Sequence, residues 1–72
     1  MKIEIQLTHN LGDNVCFLKD DKITSGTIYK IEVSIDEQGH TEFLFIKTND
    51  YNSVVIRPHK AFYSRQELIE SL

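Results

Sequence analysis

Few side chains in this sequence have the type and spacing that catalysis or metal binding requires. Cys16 is the single cysteine, and it lies in an apolar run with no cation nearby that would favour its thiolate. His9, His40 and His59 are far apart in the sequence, without the short spacing of a zinc site and without a second cysteine to complete one. We therefore predict a structural role for the cysteine, loop positions for the histidines, and no metal.

The carboxylates and glycines give no stronger signal for an enzyme. Asp20 and Asp21 are adjacent in a charged loop, where both would be solvated, whereas acid–base catalysis needs two carboxylates in different environments facing one substrate. Gly12, Gly26 and Gly39 are too far apart to cradle one phosphate, and the sequence contains no nucleophile elbow or dinucleotide fingerprint. The prediction is a protein without catalytic activity and without a cofactor.

Aromatic and basic side chains give the better indication of binding. Tyr51 lies in a polar loop, where the core does not need it, and with Tyr29 and Arg57 it is our candidate recognition patch. Tyrosine and arginine are favoured at binding hot spots, which supports this choice. The alternative is structural: Tyr29 packs at the rim of the fold and Tyr51 shields an apolar edge.

Length and composition limit the classes of function. Seventy-two residues form one domain, and 40% hydrophobic with 26% charged residues is typical of a soluble globular chain. Eight basic against eleven acidic residues give a net charge of −3, which argues against binding to a phosphate backbone. No apolar run in the sequence is long enough to span a membrane. The N-terminal residues lack the apolar core of a signal peptide. One cysteine permits no internal disulfide and fits the reducing cytoplasm, where we predict the protein to be.

The hydrophobic pattern predicts five short strands. Residues 2–7 alternate strictly between apolar and polar, and β-branched and aromatic residues dominate four further segments, at 15–18, 23–35, 41–47 and 53–57. Gly26 indicates a bulge or bend in the long segment at 23–35. Ile28 and Ile31 are three residues apart, so both can point inward only if the strand is locally irregular. Short strands separated by turn signals predict an all-β barrel or sandwich.

The C-terminus changes to a helical period. Ser64 followed by Glu67 fits a capping box, and Tyr63 with Leu68 fits the hydrophobic staple that accompanies it. We predict a helix over residues 64–72 whose apolar stripe consists of Leu68, Ile69 and Leu72. Because a helix of about two turns is marginal in water, it must dock on the sheet.

Two parts of the sequence resemble small SH3-like barrels of the KOW type. Residues 12–15 (GDNV), a polar turn and residues 26–28 (GTI) look like the opening hairpin of those barrels. Residues 61–69 (AFYSRQELI) look like the Phe-x-Ser/Thr-x-x-Glu-Leu ending of small uncharacterised barrel proteins of bacterial and phage genomes. The resemblance spans residues 11–72 and leaves residues 1–9 as a candidate for an added N-terminal strand. It implies a mainly β fold, a small five-stranded SH3-like barrel with a strongly bent antiparallel sheet and a short C-terminal α-helix.

A barrel of one layer buries one face of each strand, so some apolar residues must face outward. If Phe17, Phe43 and Phe45 point inward, four apolar residues form an outer surface. They are Cys16, Leu18, Leu44 and Ile46. Either residues 2–7 or the C-terminal helix covers this surface, or it is the interface of a homodimer or a partner.

Three hypotheses of function follow. The first is a non-catalytic protein-interaction module, a phage or mobile-element accessory protein that acts on a host or virion protein. The second is a nucleic-acid or ribonucleoprotein module of KOW or Sm type, which requires basic residues to gather on one side despite the net charge: Lys19, Lys22, Lys30, Lys47, Arg57 and Lys60. The third is a small-ligand binder or enzyme whose pocket only a dimer would complete.

Overall fold

The computed structural model describes residues 4–72, and its main element is one antiparallel sheet of four strands. The strands are β1 (Asn14–Lys19), β2 (Lys22–Asp36), β3 (Gly39–Thr48) and β4 (Ser53–Ile56), in this order across the sheet. A 3₁₀ helix (Pro58–Lys60) and one α-helix, α1 (Arg65–Glu70), follow. The prediction of a mainly β fold with a short C-terminal helix is confirmed.

Two tight turns connect the first three strands, and their backbone angles explain the residues found there. Asp20 and Asp21 have φ of 52° and 64°, as a two-residue hairpin turn with positive φ at both positions requires. Gly39 has φ of 124° at the start of β3, a conformation that only glycine adopts readily. Both turns lie where the sequence predicts them.

The predicted N-terminal strand over residues 2–7 is wrong for residues 4–7, which form no strand; residues 1–3 lie outside the described part of the chain. A residue near the C-terminus, Phe62, already pairs with part of the outer edge of β1. The Cys16 N–H donates to the Phe62 carbonyl over 2.6 Å, and the Phe62 N–H donates to the Cys16 carbonyl over 2.9 Å. Phe62 is therefore an isolated bridge beside an open four-stranded sheet.

An irregularity in β2 occurs where the spacing of Ile28 and Ile31 predicts one. The register between β2 and β3 shifts between Ile28 and Lys30, as in a β-bulge, which bends a strand and increases its twist. Before the bulge, β2 pairs with β1 over residues 22–27 and with β3 from Gly26 onward; after the bulge, it pairs with β3 alone.

The bulge is not at Gly26, contrary to the prediction for that residue. Gly26 pairs regularly with Val15 on one side and Thr48 on the other. A Cβ at this position would lie 2.5 Å from Ile46 Cγ2 and 2.6 Å from the Lys47 carbonyl oxygen. Glycine is needed here because the neighbouring strand approaches too closely for any side chain.

The core lies on one face of the sheet, which we call the inner face. Its buried cluster consists of Val15, Phe17, Ile28, Leu44, Ile46 and Ala61. The prediction that Leu44 and Ile46 face outward is wrong, because both are 0% exposed. Ile46 pairs with Ile28, and residues paired across an antiparallel ladder point to the same side. Phe43 and Phe45 consequently point to the opposite, outer face.

Helix α1 begins as predicted at Ser64, whose side-chain oxygen accepts from the Glu67 N–H over 3.1 Å. The Glu67 carboxylate accepts from the Tyr63 N–H over 3.3 Å. Leu68 is buried, whereas Ile69 and Leu72 are exposed, so the predicted three-residue stripe is wrong for those two positions. One buried leucine anchors this helix of six residues.

Candidate functional site

The outer face of β2, β3 and β4 carries a group of half-exposed apolar and basic side chains. We call it the outer patch and define it by these residues: Tyr29, Lys30, Phe43, Phe45, Lys47, Val55 and Arg57. Phe45 pairs with Lys30 of β2 on one side and with Val55 of β4 on the other, so it lies at the centre.

Aromatic contacts fix the centre of the outer patch. The rings of Tyr29 and Phe45 meet edge to face, with centroids 6.2 Å apart, a favoured geometry for aromatic pairs. The Tyr29 hydroxyl forms a hydrogen bond with the Ser53 hydroxyl at the start of β4. Tyr29 remains 48% exposed and Val55 50% exposed, so the centre is ordered and still accessible.

Two cations of the outer patch lie over phenyl rings. Lys30 Nζ is 5.0 Å from the centroid of Phe45, and Arg57 Cζ is 5.6 Å from the centroid of Phe43. Both distances are within the range of cation–π attraction. Lys30 also pairs with Glu32 over 3.0 Å, and both side chains are about half exposed. These contacts preorganise the surface and reduce the entropy lost when a ligand binds.

The cations at the two ends of the outer patch are Lys47 and Arg57. Lys47 pairs with Ser53 at the first position of β4, and Arg57 follows the last residue of that strand. Both residues are exposed, and within residues 4–72 neither has an ion-pair partner. Each end of this face can therefore bind an anionic group of a ligand.

The structure brings two of the three predicted patch residues to this face. Tyr29 and Arg57 belong to it, on opposite sides of its aromatic centre. Tyr51 lies in the β3–β4 turn with φ of 63° and is 85% exposed, beside a shallow hollow that Lys47 also lines. Phe43 and Phe45 were not predicted as surface residues, because the sequence pattern placed them in the core.

The predicted interface residues lie in different environments. Cys16 is half-buried, and its backbone is paired with Phe62. Leu18 is 44% exposed and borders a groove against α1. Leu44 and Ile46 belong to the core, so they offer no surface to a partner of the folded chain. The four residues do not form one surface.

All three histidines line one cavity of about 350 Å³, although they are far apart in the sequence. At its wall Glu42, only 5% exposed, accepts from the Thr8 hydroxyl over 3.2 Å and lies 3.4 Å from His40 Nε2. The Thr8 hydroxyl also lies 2.9 Å from His9 Nδ1. These contacts attach the N-terminal segment to β3. Within residues 4–72 no group of three His, Cys, Asp or Glu residues is arranged to hold a metal ion.

Side-chain hydrogen bonds shift the pKa values of two exposed carboxylates. The Tyr63 hydroxyl and the Asn10 N–H hold the pKa of Asp13 below its ordinary value. The Thr48 hydroxyl lowers the pKa of Asp50 in the same way, and the Asn52 side chain assists. Both groups stabilise turns and lie outside the outer patch.

Comparison with known proteins identifies no relative of this chain. No protein-family model, curated protein or solved structure matches the chain. Among residues 4–72, neither helix has the length and apolar character needed to cross a bilayer. The side chains of the outer patch can provide apolar contact and positive charge to a ligand.

Proposed function

We propose that this protein is a non-catalytic protein-interaction module that binds its partner on the outer patch. One observation carries the proposal: Phe43 and Phe45 lie on the same sheet face, only half-buried and flanked by cations. Aromatic residues and arginine are enriched in the centres of protein interfaces, and exposed apolar groups in contact with one another indicate binding.

The core does not explain why this face is apolar. The buried cluster on the inner face is complete without the outer phenylalanines, and α1 adds Leu68 to the buried side chains. Nothing within residues 4–72 covers Tyr29 and Val55, which are about half exposed. A partner that covered both side chains would gain roughly 1.5–3 kcal/mol from apolar burial alone, because each contributes about half of the value for complete burial.

The fold that we propose for the module is an SH3-like barrel in which Phe62 takes the place of the fifth strand. Three features support it. The bulge bends β2, the 3₁₀ helix follows β4 directly, and Phe62 exchanges two backbone hydrogen bonds with Cys16 at the outer edge of β1. The proposals of a cytoplasmic location and of a phage or mobile-element origin rest on the single cysteine and on the sequence resemblance.

A pull-down with matched variants tests the protein-interaction proposal. The immobilised wild type, Phe45→Ala and Leu11→Ala are compared in bacterial lysate; Leu11 is 64% exposed and lies outside the outer patch. We expect the wild type and Leu11→Ala to retain the same partner and Phe45→Ala to lose it, although Phe45→Ala still unfolds in a cooperative transition. Absence of a reproducible partner, or its retention by Phe45→Ala, would contradict the proposal.

The second candidate is a nucleic-acid module, because Lys30, Lys47 and Arg57 share the outer face with aromatic rings. The other three lysines in that hypothesis lie elsewhere: Lys19 and Lys22 flank the β1–β2 turn, and Lys60 ends the 3₁₀ helix. A mobility shift at low salt with RNA and with single- and double-stranded DNA tests it. Absence of a shift with all three would exclude it.

A further inference from the structure

We propose that the outer patch recognises an extended acidic peptide in which one apolar side chain lies between two carboxylates. The inference rests on the proposed function and specifies its partner. The outer patch has an apolar centre and, at each end, one cation without an ion-pair partner in the described part of the chain. This order of side chains determines the order required in the ligand.

The separation of the two end cations determines the spacing of the carboxylates. Lys47 pairs with Ser53 at the start of β4, and Arg57 lies four residues after Ser53 in the direction of that strand. At the rise of an extended chain, four residues span about 13 Å. An extended peptide directs side chains i, i+2 and i+4 to one face, so carboxylates at i and i+4 cover the same distance.

The centre of the patch determines the residue between the carboxylates. Phe45 and Val55 form a cross-strand pair midway between the two cations, with Tyr29 against the ring of Phe45. An apolar side chain at i+2 would lie over this pair. The ligand is therefore Asp/Glu-x-apolar-x-Asp/Glu in an extended conformation, with its intervening side chains directed to solvent.

The same face is less suited to a nucleic acid. Bases bind single-strand modules by stacking on open aromatic faces, whereas Lys30 and Arg57 lie over the rings of Phe45 and Phe43. The Glu32 carboxylate, paired with Lys30 and opposite Phe43, would repel a continuous line of phosphates. A peptide with one carboxylate beside Arg57 meets the Glu32 carboxylate at a single position, on the other side of Phe43 from Arg57.

Charge reversal tests the inference with two defined probes, the fluorescein-labelled peptides Ser-Glu-Ser-Phe-Ser-Glu-Ser and Ser-Lys-Ser-Phe-Ser-Lys-Ser. Fluorescence anisotropy at low salt should show tighter binding of the Glu peptide to the wild type. The double variant Lys47→Glu/Arg57→Glu should lose about two- to thirtyfold in affinity for that peptide, the range for two exposed ion pairs. It should also gain affinity for the Lys peptide, which a merely unfolded variant would not do.

The matched control is Lys19→Glu/Lys22→Glu, the same double charge reversal at the β1–β2 turn. It should bind the Glu peptide like the wild type. Any of three results would overturn the inference. The wild type could bind both peptides equally, or the control variant could lose as much affinity for the Glu peptide as the patch variant does. The wild type could also prefer an oligouridine to the Glu peptide, with that preference lost in the patch variant. If the wild type does not bind the Glu peptide while Phe45→Ala still loses a partner from the lysate, the ligand assignment is wrong and the proposed function stands.

Discussion

A side-chain hydrogen bond joins residues near the two ends of the described chain. The Tyr63 hydroxyl donates to the Asp13 carboxylate over 2.7 Å, and the Asn10 N–H donates to the same oxygen over 3.0 Å. This lowers the pKa of Asp13 from 3.8 and raises the pKa of Tyr63 from 10.0. The ring of Tyr63 also stacks on the buried His9, with centroids 5.1 Å apart.

Replacing Tyr63 by phenylalanine should make stability depend on pH in a defined way. A carboxylate whose pKa is lowered by folding stabilises the native state above its unfolded value of 3.8, and this contribution is lost as pH falls through the folded value. We expect Tyr63→Phe to be less stable than the wild type near neutral pH and the difference to shrink below about pH 4. Urea unfolding across this range measures it.

The control for that variant is Tyr51→Phe, because the Tyr51 side chain is 85% exposed. It should leave stability unchanged at every pH. NMR titration of the Asp13 carboxyl in Tyr63→Phe should show a pKa closer to the ordinary value. A stability difference that persists unchanged at low pH would contradict the assigned role of the hydrogen bond.

Local signals at the residue scale could be predicted, and distant contacts could not. The cap at Ser64 follows from residues within one helical turn, so the sequence alone predicts it. Tyr63 and Asp13 are 50 residues apart, and no short-range pattern indicates that they meet. The cluster of His9, His40 and His59 around one cavity also depends on the whole fold.

At the scale of elements, β3 shows why an alternating pattern can be ambiguous. Its centre, residues 43–46, is continuously apolar, so either pair of alternate side chains could face the core. Pairing of Ile46 with Ile28 determines the choice and directs Phe43 and Phe45 outward. The existence of all four strands was predictable, whereas the orientation of this one requires its neighbour.

Two alanine variants in β3 test that orientation. Leu44 is 0% exposed, so Leu44→Ala should cost about 2–5 kcal/mol of unfolding free energy. Phe45→Ala removes a larger side chain that is only half-buried, and its cost should be smaller because part of the ring is already in water. Urea denaturation gives both values. A greater cost for Phe45→Ala would show that the two faces are assigned wrongly.

At the scale of the whole molecule, Phe62 connects the end of the chain to the first strand. Its paired hydrogen bonds with Cys16 bring the segment after the 3₁₀ helix to the edge of β1. From sequence, residues 2–7 looked like the fifth strand because their alternation is regular. The bridge at Phe62 is a single residue pair, too short to leave any periodic pattern.

Native-state hydrogen exchange tests whether this bridge is part of the cooperative structure. The amides of Cys16 and Phe62 should exchange slowly, with opening free energies close to that of global unfolding. The Gln38 amide, bonded only to the Asp36 side chain in an exposed turn, should exchange much faster. Equal exchange of Phe62 and Gln38 would mean that the bridge opens independently of the sheet.

The sequence predicted part of the candidate site and missed its centre. Tyr29 and Arg57 were recognisable because tyrosine and arginine suit binding wherever they occur. Phe43 and Phe45 were not, since phenylalanine is usually buried and only the pairing with β2 directs it outward.

The two end cations of the outer patch, which have no ion-pair partner within residues 4–72, should also affect how fast the proposed partner binds. Lys47 and Arg57 place positive charge at the two ends of the outer patch, in a molecule whose net charge is −3. Positive charge placed in this way orients an anionic molecule during diffusion, before any contact forms, and raises the association rate constant. Added salt would then slow association far more than it speeds dissociation, because ions screen the approach and leave the apolar contact with Phe45 intact.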